Sequence, residues 1–106
     1  MANIIYSDVT VNIAKIAKAL GHPARLAILK HLSNQSCCYT SDLIKVIPMA
    51  QSTISQHLKE LKNAGLIVDK VELPKIKYSI NKNNWNRAQR LFTTLFNEDF
   101  TSISCC

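Results

Sequence analysis

Glycine and proline are scarce in this chain of 106 residues, which has two of the first and three of the second. A linker rich in either residue is absent, as are internal repeats and low-complexity tracts. Residues 1–106 therefore read as a single domain. Long apolar runs are missing too: none approaches the roughly 20 residues needed to cross a bilayer, so no membrane partner is expected. The N-terminus, "MANIIYSDVT", has no basic region followed by an apolar core. The expectation is a cytoplasmic protein whose cysteines are reduced thiols, not a disulfide framework. There is no Cys-x-x-Cys pair and no β-α-β pattern around one, which argues against a thiol-dependent reductase and against an enzyme in general.

Acidic residues are few, seven against thirteen Lys and Arg, giving a formal charge of +6. That balance favours a polyanionic partner such as DNA. A chain of this size buries a smaller share of its surface than a large one, so an apolar fraction of 47% is expected to include residues reserved for a partner surface, which points to self-association.

Periodicity supplies the architecture. Residues 8 to 20 place Val9, Ile13, Ile16, Ala17 and Leu20 at helical spacing, with Ser7 or Asp8 as cap and Gly21 as stop. Pro23 opens a second helix capped by His22, with Leu26, Leu29 and Leu32 on one face and an end near Ser33 and Asn34. A short helix around Leu43 to Val46, capped by Thr40 or Ser41, is broken at Pro48. The next presents Ile54, Leu58 and Leu61 inward until Gly65. Helix, three-residue turn, helix is the helix-turn-helix plan. From Leu66 to Ile80 the period changes to that of a β-hairpin reversing at Leu73-Pro74-Lys75. Asn83 or Asn84 caps a last helix striped by Trp85, Ala88, Phe92, Leu95 and Phe96 through about residue 97. Residues 98–106 either extend it or fray as a flexible tail. The fold expected is mainly α with a small β-hairpin, a winged helix-turn-helix in the order α-α-α-α-β-β-α.

In that arrangement the second helix of the motif enters the major groove and the hairpin reaches flanking DNA. Gln51, Ser52, Thr53, Ser55, Gln56, His57, Lys59 and Lys62 surround the inward stripe of that helix. Hydroxyls can bond phosphate or base edges, Gln can pair with adenine, and Lys neutralises phosphate. Helix-poor Ser52, Thr53 and Ser55 crowd the first turn, which a merely solvated face does not require. Lys75 and Lys77 on the hairpin are candidate phosphate contacts. An interaction module that keeps this fold without reading DNA is the rival reading, and salt-dependent duplex binding separates the two.

The segments "KALGHPARLAILKHL" and "QSTISQHLKELKNAGLIV", in this order and spacing, resemble the ArsR/SmtB family of small winged-helix repressors over about residues 10 to 97. The resemblance implies a symmetric homodimer built from the first and last helices. It also implies an operator with two half-sites, for which an ion or other inducer lowers affinity. Where members commonly have Ser at the recognition-helix cap this chain has Ala50, so Ser52 is expected to cap one step later.

Many zinc sensors of the family use carboxylates and histidines along the last helix. Here His22, His31 and His57 are the only histidines, and none follows Trp85. Arsenic sensors often place Cys-x-Cys just before Asp-Leu. This chain has Asp42-Leu43, but Thr40 and Ser41 adjoin it and the cysteines come earlier, so that motif assigns no role residue by residue. The four cysteines fall in two doublets, Cys37-Cys38 and Cys105-Cys106. Thiolates select soft ions. As(III) or Sb(III) takes three, while adjacent side chains diverge by about 100° on a helix and oppose one another on a strand. One doublet is thus an incomplete site, and the expected metal ligands are Cys37, Cys38, Cys105 and Cys106 together. The expected function is a DNA-binding repressor, needing no resident cofactor, released by arsenite, antimonite or another soft ion. The alternative is release by redox state or reactive sulfur through cysteine oxidation.

Overall fold

A computed structural model describes residues 6–35 and 38–98. Helix α1, Asp8–Leu20, starts where Ser7 Oγ accepts from the Thr10 N–H at 3.2 Å, with Asp8 in the first turn complementing the helix dipole. Only Gly21 and His22 separate it from α2, Pro23–Asn34. His22 Nδ1 accepts from the Ala24 N–H at 3.0 Å, and Pro23 occupies a first-turn position where its missing donor costs nothing.

The chain then adds an element the sequence pattern does not reveal. Cys38–Tyr39 is a two-residue strand, β1, too short to show alternation. Helices α3, Thr40–Val46, and α4, Gln51–Asn63, follow, then strands β2, Ile67–Glu72, and β3, Lys75–Ile80, and finally helix α5, Lys82–Phe96. The order is α-α-β-α-α-β-β-α, not α-α-α-α-β-β-α. The antiparallel sheet runs β1-β3-β2, with Cys38 opposite Tyr78 and Tyr39 opposite Lys77.

Three helix starts differ from the expected caps. Neither Thr40 nor Ser41 caps α3; Asp42 reaches back instead, its Oδ2 accepting from the Tyr39 N–H at 3.1 Å. Ser52 caps nothing, because α4 already begins at Gln51 with Ala50 in the cap position and no side-chain bond there. The cap of α5 is Asn81, not Asn83 or Asn84. Its N–H donates to the Leu66 carbonyl at 3.0 Å, which fixes the end of the sheet, and its Oδ1 accepts from the Asn84 N–H at 3.1 Å.

The core lies where α2, α3 and α4 meet the sheet. Ile28, Leu32, Leu43, Ile54, Leu58, Leu61, Leu66 and Ile67 are fully buried, each contributing roughly 1.5–3 kcal/mol by leaving water. Helices α1 and α5 pack on each other along one side. The apolar stripe of α5 is only partly covered: Ala88 is buried, Trp85 and Leu95 remain over a third exposed, and Phe96 is 76% exposed. Among the described residues no helix is long and apolar enough to cross a membrane.

Candidate nucleic-acid interface

Helix α4 turns Ile54, Leu58 and Leu61 into the core. This leaves Gln51, Ser52, Ser55, Gln56, Lys59 and Lys62 exposed on its outer surface, with Thr53 half-buried. Two of these already have partners. Lys62 Nζ meets Asp69 Oδ2 at 2.9 Å, and Gln56 Nε2 donates to Glu60 Oε1 at 3.4 Å. Since α4 begins without a side-chain cap, its first N–H groups and positive dipole end stand beside Ser52.

The hairpin flanks this surface as a wing. Its two candidate lysines are held differently. Lys75 is exposed, its ammonium 5.0 Å from the centre of the Tyr39 ring. Lys77 is half-buried and pairs with Glu72 Oε2 at 3.2 Å. Glu72 also accepts from the Tyr39 hydroxyl at 3.0 Å. That bond, then the one from Lys77, holds its carboxyl below the usual range against an opposing effect of desolvation. Part of the wing's positive charge is therefore neutralised within the wing. A groove of about 300 Å³ separates wing and reading head, lined by Thr40, Ser41, Gln51, Ser55, Lys75 and Tyr78 among others. Pro74 and Ile76 of the hairpin line it as well.

His57 departs from the sequence reading. It is 7% exposed and points inward, its Nδ1 accepting from Arg25 Nε at 3.1 Å. The helical turn that aims Ile54, Leu58 and Leu61 at the core carries His57 with it. His57 thus belongs to the packing of α4 and is not part of its outer face.

The cysteine site is also changed. Cys38, an expected metal ligand, is 4% exposed in the core cluster, because β1 pairs it with Tyr78. Cys37, Cys105 and Cys106 lie outside the described residues. Among the described residues no group of three or more His, Cys, Asp or Glu side chains is placed to hold a metal ion. His31, Asp42 and Lys45 do line a cleft of about 300 Å³ with Cys38.

Sequence reasoning missed Tyr39 and Arg25, and with Tyr39 its bond to Glu72. Tyr39 and Glu72 are 33 residues apart, and Arg25 and His57 are 32 apart. No local period links such pairs. Only the pairing of β1 with the hairpin, and the packing of α2 on α4, brings them together.

Comparison with known proteins agrees with this geometry. The model of the family described as "Bacterial regulatory protein, arsR family" matches residues 22–68, from the His22 cap into β2. The HTH-type transcriptional regulator YgaV of Escherichia coli (strain K12) is 34% identical over 73 residues, 69% of this chain and 74% of that protein. The transcriptional repressor PagR of Bacillus anthracis is 34% identical over 68 residues, 64% of this chain and 68% of PagR. In structure, the chain superimposes on an ArsR family transcriptional regulator with a TM-score of 0.71 at 23% identity, covering 81% of this chain and 88% of that one. The uncapped, polar α4, the flanking wing and these likenesses converge: the chain belongs to the ArsR/SmtB family of winged helix-turn-helix transcriptional regulators, DNA-binding proteins and not enzymes.

Proposed function

We propose that the protein is a cytoplasmic, homodimeric repressor that reads double-stranded operator DNA through α4 and is released by a thiol-binding metalloid, As(III) or Sb(III). The observation that carries the DNA reading is the outer surface of α4, polar from Gln51 to Lys62 and set beside the wing lysine Lys75. Gln51, Ser52, Ser55 and Gln56 suit base edges or phosphates, Lys59, Lys62, Lys75 and Lys77 suit phosphates, and Thr53 supports the first turn. Dimerisation is supported by the uncovered apolar face of α1 and α5. Ile16, Leu20, Trp85 and Phe92 line an open groove of about 290 Å³, and Val9 on α1 and Phe96 on α5 are exposed.

Release is assigned to Cys37 and Cys38 with a third thiolate from Cys105 or Cys106. The burial of Cys38 gives this reading a mechanical consequence. Drawing its thiol toward an inducer shared with other thiolates pulls on β1, which is paired with β3, and so disturbs the wing and the spacing of the two reading heads. A coupling of about 1–3 kcal/mol is enough for a several-fold to hundredfold change in affinity.

Titrating the reduced protein with arsenite, antimonite, zinc, cadmium and oxidant, while following operator release and thiol count, tests the proposal. Loss of three thiols per arsenite together with release is the expected result. Loss of two thiols with oxidant alone indicates the redox alternative. Replacing Cys37 and Cys38 by Ser is expected to keep operator binding and abolish release by arsenite; undiminished release refutes the assignment.

A further inference from the structure

We propose that His22, Arg25 and His57 form a proton-sensitive positioning junction: while His57 is neutral it fixes α4 in its reading pose, and protonation of His57 frees the helix. The inference rests on the proposal that α4 reads DNA, and it concerns side chains that touch no DNA themselves.

Arg25 ties three elements together. Its Nε donates to His57 Nδ1 on α4 at 3.1 Å, and its Nη1 donates to the carbonyls of Ala19 at 3.3 Å and Lys18 at 3.4 Å. Those carbonyls lie in the last turn of α1, where the helix dipole favours a cation, and that of Lys18 also accepts from the Gly21 N–H at 3.2 Å. The His22 ring stands against that of His57, with centroids 4.4 Å apart and planes tilted by 50°. His22 Nδ1 in turn caps α2 through the Ala24 N–H. The outer surface of α4 is therefore oriented, from behind, by one guanidinium and two imidazoles.

Both imidazoles accept at Nδ1, so each neutral ring carries its proton on Nε2. A second proton on His57 must go to Nδ1, the atom that receives the Arg25 bond. The 3.1 Å contact then sets donor against donor and cation against cation. His57 Nε2 is buried without a hydrogen-bond partner among the described residues, so the ring has no second bond to hold it. Burial, His22 and Arg25 all disfavour the cation, and Glu60 on α4 favours it; Lys18 on α1 enters the junction through its carbonyl. The balance keeps His57 below its ordinary value of 6.5, so the junction is closed at neutral pH and opens on acidification.

This predicts an unusual direction. Added positive charge ordinarily tightens binding to DNA, whereas opening the junction weakens it. The test uses the full chain and a fluorescent duplex selected by the protein from random sequence, titrated between about pH 7.5 and about pH 5 at constant ionic strength. Wild-type affinity is expected to fall by about tenfold or more. His57→Asn, whose Oδ1 can accept from Arg25 without titrating, is expected to keep the neutral-pH affinity and lose the fall. Affinity that is flat or rises on acidification overturns the proposal, as does an undiminished fall in His57→Asn. An NMR assignment of the His57 tautomer in the wild-type protein serves even if that variant does not fold. The Nε2–H form is expected, and the Nδ1–H form overturns the junction. A protein that binds no duplex at neutral pH overturns the DNA reading instead, and the tautomer distinguishes the two failures.

Discussion

The Tyr39 hydroxyl donates to Glu72 Oε1 at 3.0 Å across 33 residues of sequence, fastening the strand that holds Cys38 to the far strand of the wing. Whatever displaces β1 therefore reaches the hairpin through this bond and through the pairing of Tyr39 with Lys77. A wing anchored in this way follows β1 instead of moving independently of it.

Removing the hydroxyl gives the first prediction. Tyr39→Phe loses the larger of the two bonds that depress Glu72, so the Glu72 pKa rises toward 4.5. Because the folded value lies below the unfolded one, Glu72 contributes stability above about pH 4.5 that is lost as pH falls toward the folded value. Tyr39→Phe diminishes that acid-induced loss. Carboxyl chemical shifts against pH report the titration, and an unmoved Glu72 curve shows that the bond does not form.

A second prediction concerns the turn after α4. Gly65 has φ +80°, and a Cβ there meets Asn84 Nδ2 at 3.0 Å, the same amide that donates to the Gly65 carbonyl at 2.9 Å. Gly65→Ala combines a left-handed backbone with displacement of that clip between α4 and α5. It should cost about 1–3 kcal/mol, measured by urea unfolding. A change within about 0.5 kcal/mol, the range of an ordinary surface substitution, contradicts the strain.

Cys38 supplies a third. Burying a hydroxyl in place of the less polar thiol carries a desolvation cost, so Cys38→Ser is expected to lower the unfolding free energy by about 1–3 kcal/mol. Cys38→Ala buries no hydroxyl and should cost less. In the native protein the Cys38 thiol should react with an aromatic disulfide reagent only as fast as the β1 region opens, and with a rate that rises with urea. Immediate reaction in the absence of denaturant contradicts its burial.

The helices were legible because their signals are local. The Ser7 cap, Pro23 after the His22 cap, the break at Pro48 and the Ile54, Leu58, Leu61 stripe all lie within a few residues of the structure they specify. The hairpin was legible for the same reason, since Ile76, Tyr78 and Ile80 alternate along one strand. Strand β1 was not, because two residues cannot display a period and its partner is 40 residues away. The burial of Cys38 has the same cause: long-range pairing with Tyr78, which no local pattern announces, places the thiol in the core. His57 illustrates a different ambiguity. Its position lies on the same helical face as Ile54, Leu58 and Leu61, but its polar ring reads as outward until Arg25 from α2 is seen to meet it.

The central claim is that the outer face of α4 binds DNA, and the salt dependence of duplex binding tests it most directly. For the wild-type chain, the logarithm of affinity for the selected duplex should fall steeply and linearly with the logarithm of salt concentration. Lys59→Ala, at an exposed position of α4 away from the core, should weaken binding and reduce the magnitude of that slope by about 1. A wild-type affinity indifferent to salt, or a slope unchanged by Lys59→Ala together with undiminished affinity, contradicts the account.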